Sequence, residues 1–173
     1  LDDIVSSPYS DASIDIVTCL FDSVNFLLQP YLVEQAIHEF ARVLKPEGIV
    51  YFDLVTERMV TEHFANQKWT ETNGRFSTKW EGSYHRTLQI ADPSILVNTG
   101  VQALIRARVY PIADVRRWID NAGLSILGTM DGENWRAVSR RTIRADVIAT
   151  RAPSKRYSKE FNKIVADIRG ALE

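Results

Sequence analysis

The chain has 173 residues, with 21 Lys+Arg against 22 Asp+Glu for a formal charge of −1; 45% of residues are apolar and 25% charged. That is the composition of a globular domain long enough to bury its own core. No apolar run approaches the roughly 20 residues of a membrane span, no basic-then-apolar signal pattern stands in the opening residues, and the single cysteine, Cys19, excludes an internal disulfide framework or a paired-cysteine metal site. His38, His63 and His85 are widely scattered, so no metal is expected, and the cysteine usage fits a reducing, cytoplasmic compartment. Charge is uneven along the chain: residues 1–65 carry 11 acids and 3 bases, and residues 66–173 carry 11 acids and 18 bases. A solvated basic surface that offsets the acidic half accounts for this, and a nucleic-acid partner is not expected.

The first residues, LDDIVSSPYSDASID, read as a loop rich in Asp, Ser and Pro. IDIVTCLF (14–21) is almost continuously apolar and β-branched, the pattern of a parallel strand buried on both faces. A helix is expected over 32–44, where Val33, Ala36, Ile37, Phe40 and Leu44 share one face and His38 and Glu39 fall away from it. Lys45, Pro46, Glu47 and Gly48 should stop it in a tight turn, with Gly48 free to take a positive φ. IVYFDLV (49–55) is a second apolar strand, which completes a right-handed βαβ unit and sets the class as α/β. Residues 56–65 suit a short helix. From 69 to 110 aromatic or branched residues alternate with polar ones between turn signals, reading as two to four antiparallel strands inserted as a lid. Pro111 then precedes a helix with Val115, Trp118, Ile119 and Ala122 on one face, ended by Gly123. Two further strands (124–130 and 142–150) follow. Last comes a helix from 154 with Tyr157, Phe161, Ile164, Val165, Ile168 and Leu172 on one side, suited to packing or dimer formation.

Three pieces of this sequence carry a family resemblance. Asp3 to Pro8 with Ser10 to Val17, then Glu39-Phe40-Ala41-Arg42-Val43-Leu44-Lys45-Pro46-Glu47-Gly48, then Tyr110-Pro111 with Asn121-Ala122-Gly123-Leu124, stand in the order and spacing of motifs in class I S-adenosylmethionine-dependent methyltransferases, which the chain resembles. The resemblance implies a Rossmann-like sheet of which this chain supplies about the last four of seven strands, with S-adenosylmethionine as cofactor. The family's Gly-rich loop and the acid ending its second strand do not occur in these residues, and Glu47 replaces a turn glycine. The chain is therefore expected to be the C-terminal part of an enzyme, divided as core (1–55), lid (56–110), further core (111–153) and terminal helix (154–173). A neighbour for strand 14–21 would be missing, and self-association could compensate.

Carried over residue by residue, the resemblance makes Asp3 and Ile4 adenine contacts, although Asp3 also suits an Asx-turn and Asp2 is a rival match. Cys19, Leu20 and Phe21 fall at the carboxyl end of a parallel strand, where such sheets bind ligands; they would border the methionine part of the cofactor through backbone groups, with the Cys19 side chain a small core residue. Asp22 and Asn25 lie just beyond. Asp22 could attract an amine substrate or accept its proton, or it could cap the next short helix with Ser23 as rival. Asp53 is a similar candidate. His85 or His63 could be a base, each also suiting plain exposure, and Trp69, Trp80, Tyr84 and Tyr110 could line a substrate wall or hold the lid together. No catalytic residue is named. The expected activity is methyl transfer to a small molecule. The alternatives are a non-catalytic interaction module of the same fold and an RNA methyltransferase, the latter resting on the basic C-terminal region with Lys155, Arg156, Lys159 and Lys163.

Overall fold

The computed structural model describes residues 3–173. Strand β1 (Ile14–Cys19) leads through a short 3-10 turn (Ser23–Phe26) into helix α1 (Pro30–Val43), and strand β2 (Leu44–Val55) follows directly. Pro30 sits in the first turn of α1, where its missing N–H costs nothing. The expected stripe is buried: Val33, Ala36, Ile37, Phe40 and Leu44 are all at or below 5% exposure. The helix ends one residue earlier than the pattern predicts, because Leu44 is already extended (φ −67°, ψ 134°) and Lys45, preceding Pro46, is held in the extended region as well.

The expected tight turn at 45–48 is instead a bulge inside β2. Ile14 pairs with Leu44 and Ile16 with Ile49, so residues 45–48 swell out of the parallel ladder before it resumes as far as Cys19 and Phe52. Gly48 is needed there for space and not for a positive φ, since a Cβ would stand 2.7 Å from Leu44 Cδ2.

Helix α2 (Glu57–His63) follows, its first turn closed by the Met59 N–H donating to Thr56 Oγ1. The inserted segment then forms seven short strands: β3 (Lys68–Asn73), β4 (Phe76–Glu81), β5 (Tyr84–His85), β6 (Ile90–Ala91), β7 (Ser94–Val97), β8 (Gln102–Leu104) and β9 (Ala107–Arg108). They make two small antiparallel sheets, ordered β3-β4-β7-β8 and β5-β6-β9. Alternation alone did not reveal β3, whose residues are mostly polar and exposed. It is fixed by a cross-strand pair: Trp69 stacks on Trp80 at 5.2 Å and 7°, and Phe64 meets Trp69 edge-on at 5.8 Å.

Helix α3 (Ile112–Asn121), strands β10 (Ser125–Asp131) and β11 (Arg144–Thr150), and helix α4 (Ser158–Leu172) complete the chain. The main sheet runs β1-β2-β11-β10: β1 and β2 are parallel, and β11 is antiparallel to both of its neighbours. Alternate residues of its strands face two layers. Val50, Phe52, Leu54, Ala145, Val147 and Ala149 join α1 and α3 in the larger core, while Ile49, Tyr51 and Ile148 meet Phe161 and Val165 of α4. Only part of the stripe expected on α4 is covered, since Ile164 and Leu172 are more than half exposed. No helix among the described residues is long and apolar enough to cross a membrane.

Candidate active site

Two hollows flank the segment that leaves β1. The first is a groove of about 580 Å³ along the free side of β1, lined among others by Asp3, Ile4, Ser7, Ile16, Cys19, Leu20, Glu39 and Phe40. The second is a chamber of about 230 Å³ beneath the inserted strands, lined by Asp22, Phe26, Val55, Met59, Val60, Phe64, Trp80, Ala91, Pro93, Ile105, Ala107 and Arg144. Leu20 and Ser23 belong to the groove, Asp22 and Phe26 to the chamber.

The turn between them is strained. Phe21 and Asp22 are consecutive non-glycine residues in the left-handed region, at φ 59° and 50°. Such residues cost on the order of 1–3 kcal/mol each and persist only where surrounding contacts hold them. Here the holding group is Asp53 on β2, whose carboxylate accepts the Asp22 N–H through both oxygens at 3.2 Å. Arg144 at the start of β11 bridges the two acids: one guanidinium nitrogen pairs with Asp53, and Nη2 donates to Asp22 Oδ1 at 3.2 Å. Asp53 is 4% exposed, so this pairing is what permits its charge to be buried. Asp146, directly opposite Asp53 in the β2–β11 ladder, has its carboxyl pushed up by burial and by the Asp53 charge. Burial likewise raises Asp22, against the lowering pull of Arg144.

The expected site residues fall in different places. Asp3 and Ile4 line the groove, and the Asx-turn is formed as well, with Val5 N–H donating to Asp3 Oδ1 at 3.1 Å. Asp2 lies outside the described residues. Cys19 and Leu20 line the groove; the Cys19 thiol is buried and pushed up to about 11 by desolvation and by Asp53, which leaves it a core residue. Phe21 is turned away, 82% exposed and outside the groove. Asp22 lines the chamber. Asn25 does not, because it is fully buried and its amide is used up: Nδ2 donates to the Val55 and Arg108 carbonyls and Oδ1 accepts the Val55 N–H. Tyr110 is 3% exposed, with its hydroxyl donating to the Leu27 carbonyl and its ring edge-on to Trp118. Tyr84 donates to Glu57, and His85 stands outside the chamber with Nε2 3.6 Å from Asp92. His63 is exposed at the end of α2. Trp80 is the one tryptophan in the chamber wall. Arg144, Phe26, Met59 and Phe64 were not singled out by sequence; of these only Arg144 left a signal, a charge pattern (Arg144, Asp146) inside an otherwise apolar strand.

Residues 1–52 match the family model described as "Methyltransferase domain". The curated protein "Putative methyltransferase YqeM" of Bacillus subtilis is 28% identical over 125 residues, which is 67% of this chain and 50% of that protein. A crystal structure of an S-adenosylmethionine-dependent methyltransferase from Clostridium acetobutylicum superposes with a TM-score of 0.76 at 18% identity, covering 86% of this chain and 62% of its own. The chain has the methyltransferase fold. CalS10 of Micromonospora echinaspora, an amino pentose methyltransferase solved with S-adenosylmethionine bound, superposes with a TM-score of 0.64 at 17% identity, covering 87% of this chain and 63% of its own. The chain spans half the length of the curated relative it matches. The stretch that matches by sequence covers the loop from Asp3, β1, α1 and β2 as far as Phe52, and includes every residue named as lining the groove.

Proposed function

We propose that this chain forms one wall of the cofactor groove and the acceptor chamber of an S-adenosylmethionine-dependent methyltransferase acting on a small-molecule amine. The observation carrying this reading is that groove and chamber flank a single strained turn, at the carboxyl end of a parallel strand where open α/β sheets bind ligands. The groove suits an adenosyl group: a carboxylate (Asp3) for an exocyclic amine, and apolar surface from Ile4, Ile16 and Phe40 for a flat ring. When bound, the cofactor supplies a methyl group activated by a sulfonium.

The chain's own residues do the rest. Asp3 and the Ile4 backbone hold the adenine, and the backbone at Cys19 and Leu20 borders the remainder of the cofactor. Phe26, Met59, Val60, Phe64, Trp80 and Ile105 exclude water from the chamber, with the inserted strands as its lid. Asp22 is the acidic group at the chamber wall that binds an acceptor ammonium and takes its proton, so that the freed lone pair can be aligned for in-line transfer. Kinship of fold with an amino pentose methyltransferase supports an amine-bearing acceptor.

The test is calorimetric titration of S-adenosylhomocysteine into the protein, followed by methyl-transfer assays over a panel of small amines. Micromolar cofactor binding, about −8 kcal/mol, is expected. Asp3→Asn should weaken it about tenfold; Asp22→Asn should leave it unchanged and lower kcat/KM for amines at least tenfold. Cofactor binding insensitive to Asp3→Asn, or amine methylation insensitive to Asp22→Asn, sinks the respective assignment.

A further inference from the structure

Glu39 sits on α1 off the apolar stripe, yet its side chain is only 12% exposed. What covers it is the loop that carries Asp3 and Ile4. Glu39 Oε1 accepts the Ser7 N–H at 2.8 Å and the Ser7 hydroxyl at 2.6 Å. Arg42, one turn further along α1, donates Nε to Glu39 Oε2 at 2.8 Å and Nη2 to Glu39 Oε1 at 2.6 Å. The same guanidinium reaches the Ser7 carbonyl at 3.4 Å and Asp11 at 2.6 Å. Beyond Asp11 the Ala12 and Ser13 N–H groups donate to the carbonyls of Arg42 and Val43. The loop is thus fastened to the end of α1 at both of its halves, and Glu39 and Ser7 themselves line the groove with Asp3 and Ile4.

We propose that Glu39, braced by Arg42, is the positioning residue of the groove: it clamps Ser7 so that the Asx-turn at Asp3 presents its carboxylate and the Ile4 N–H to the adenine. The inference rests on the reading of the groove as a cofactor wall. A carboxylate is required because every partner of Glu39 is a donor, two from Ser7 and two from Arg42. A glutamine there would aim an NH₂ group at one of them. Charge-assisted bonds of this kind are short and directional, which suits fixing a loop whose Asp3 turn is closed by the Ser6 N–H to Asp3 carbonyl and Val5 N–H to Asp3 Oδ1 bonds.

The experiment compares Glu39→Ala, Glu39→Gln and Glu39→Asp with the parent protein. It reads S-adenosylhomocysteine affinity by calorimetry, amide exchange at Val5 and Ser7, and KM for an accepted amine. Glu39→Ala and Glu39→Gln should weaken cofactor binding about tenfold and speed exchange at Ser7, with amine KM unchanged; Glu39→Asp should recover part of the affinity. His38→Ala, on the exposed side of the same helix, should change nothing. Should Glu39→Ala fail to fold, Ser7→Ala removes only the hydroxyl bond and is expected to weaken cofactor binding two- to fivefold. Parent-like affinity in the folded Glu39 or Ser7 variants overturns the inference while leaving the groove reading intact, and so does a rise in amine KM that parallels the loss of affinity. A parent protein that does not bind the cofactor overturns the groove reading first, and this inference with it.

Discussion

At the scale of the residue, polar groups in the core explain more of the site's shape than apolar ones. Asn25 ties the turn after β1 to the end of β2 and to β9, through three hydrogen bonds that no other side chain of its size could make together. Asn25→Ala leaves the Val55 N–H and two carbonyls without this partner in a buried place, and should cost about 3 kcal/mol, read as a lower urea midpoint with an unchanged m-value. Glu39 gives a pH signature. Its carboxyl is held down to about 2, chiefly by its hydrogen bonds from Arg42, with Ser7 and the Arg42 charge assisting against desolvation. A depressed carboxyl contributes stability above its ordinary value near 4.5 and loses it as pH falls through the folded value. The clamp on the loop should therefore persist unchanged from pH 7 to about 5 and weaken between 4.5 and 2. Exchange at Ser7, facing Glu39, Arg42 and Asp11, is the measurement. Glu39 was legible as a residue off the helix stripe and as the head of a family motif, but not as a clamp: a periodic pattern says which side chains avoid the core, and cannot say that a distant loop returns to cover one of them.

At the scale of the element, the β1–α1–β2 unit could be read directly because its apolar periods change from near-continuous to 3.6 and back. The bulge at 45–48 could not. Its cause is a pairing between Ile14 and Leu44 that only the assembled ladder shows. The docking of α4 was half legible: Phe161 and Val165 meet the sheet, whereas Ile164 and Leu172 follow the same stripe into solvent. A steric fit fixes this helix. A Cβ on Gly128 of β10 would stand 2.4 Å from Phe161 Cζ and 2.7 Å from Cε1. Gly128→Ala is expected to destabilise by about 1–3 kcal/mol through overpacking, and to make α4 the first segment cut in limited proteolysis. Pairing it with Phe161→Leu should recover part of the loss, a coupling that a double-mutant cycle would measure.

At the scale of the whole molecule, the uneven charge along the chain is partly reconciled in space. Arg144 reaches back to Asp22 and Asp53, and Arg156 to Glu47, so bases of the later half neutralise acids of the earlier one. The apolar edge is not covered among the described residues. Among the described residues β1 pairs only with β2, and it is not buried on both faces as its apolar run predicts: Ile16 is 64% exposed, with Tyr9 and Phe21 also open. An edge of this kind is a template for another strand. Light scattering of this chain should show mass rising with concentration, and Ile16→Lys should suppress that rise without lowering the thermal midpoint by more than about 2 °C, since the side chain is already mostly in water. A mass independent of concentration in the parent would show that the edge is closed by other means.

The α/β class, the βαβ unit, the buried stripes of α1 and α3, and the motifs by which residues 1–52 match a methyltransferase domain could all be read from the order of residues. These are local: they depend on side chains a few positions apart and on the periods of helix and strand. That Asp22 meets Arg144 and Asp53, that Asn25 and Tyr110 are spent on the core, and that Glu39 holds the loop of the groove follows from the packed fold alone. Those contacts join residues 30 to 122 positions apart. Each is settled by the competition between desolvation and a partner whose arrival depends on how the sheet and its insertion pack.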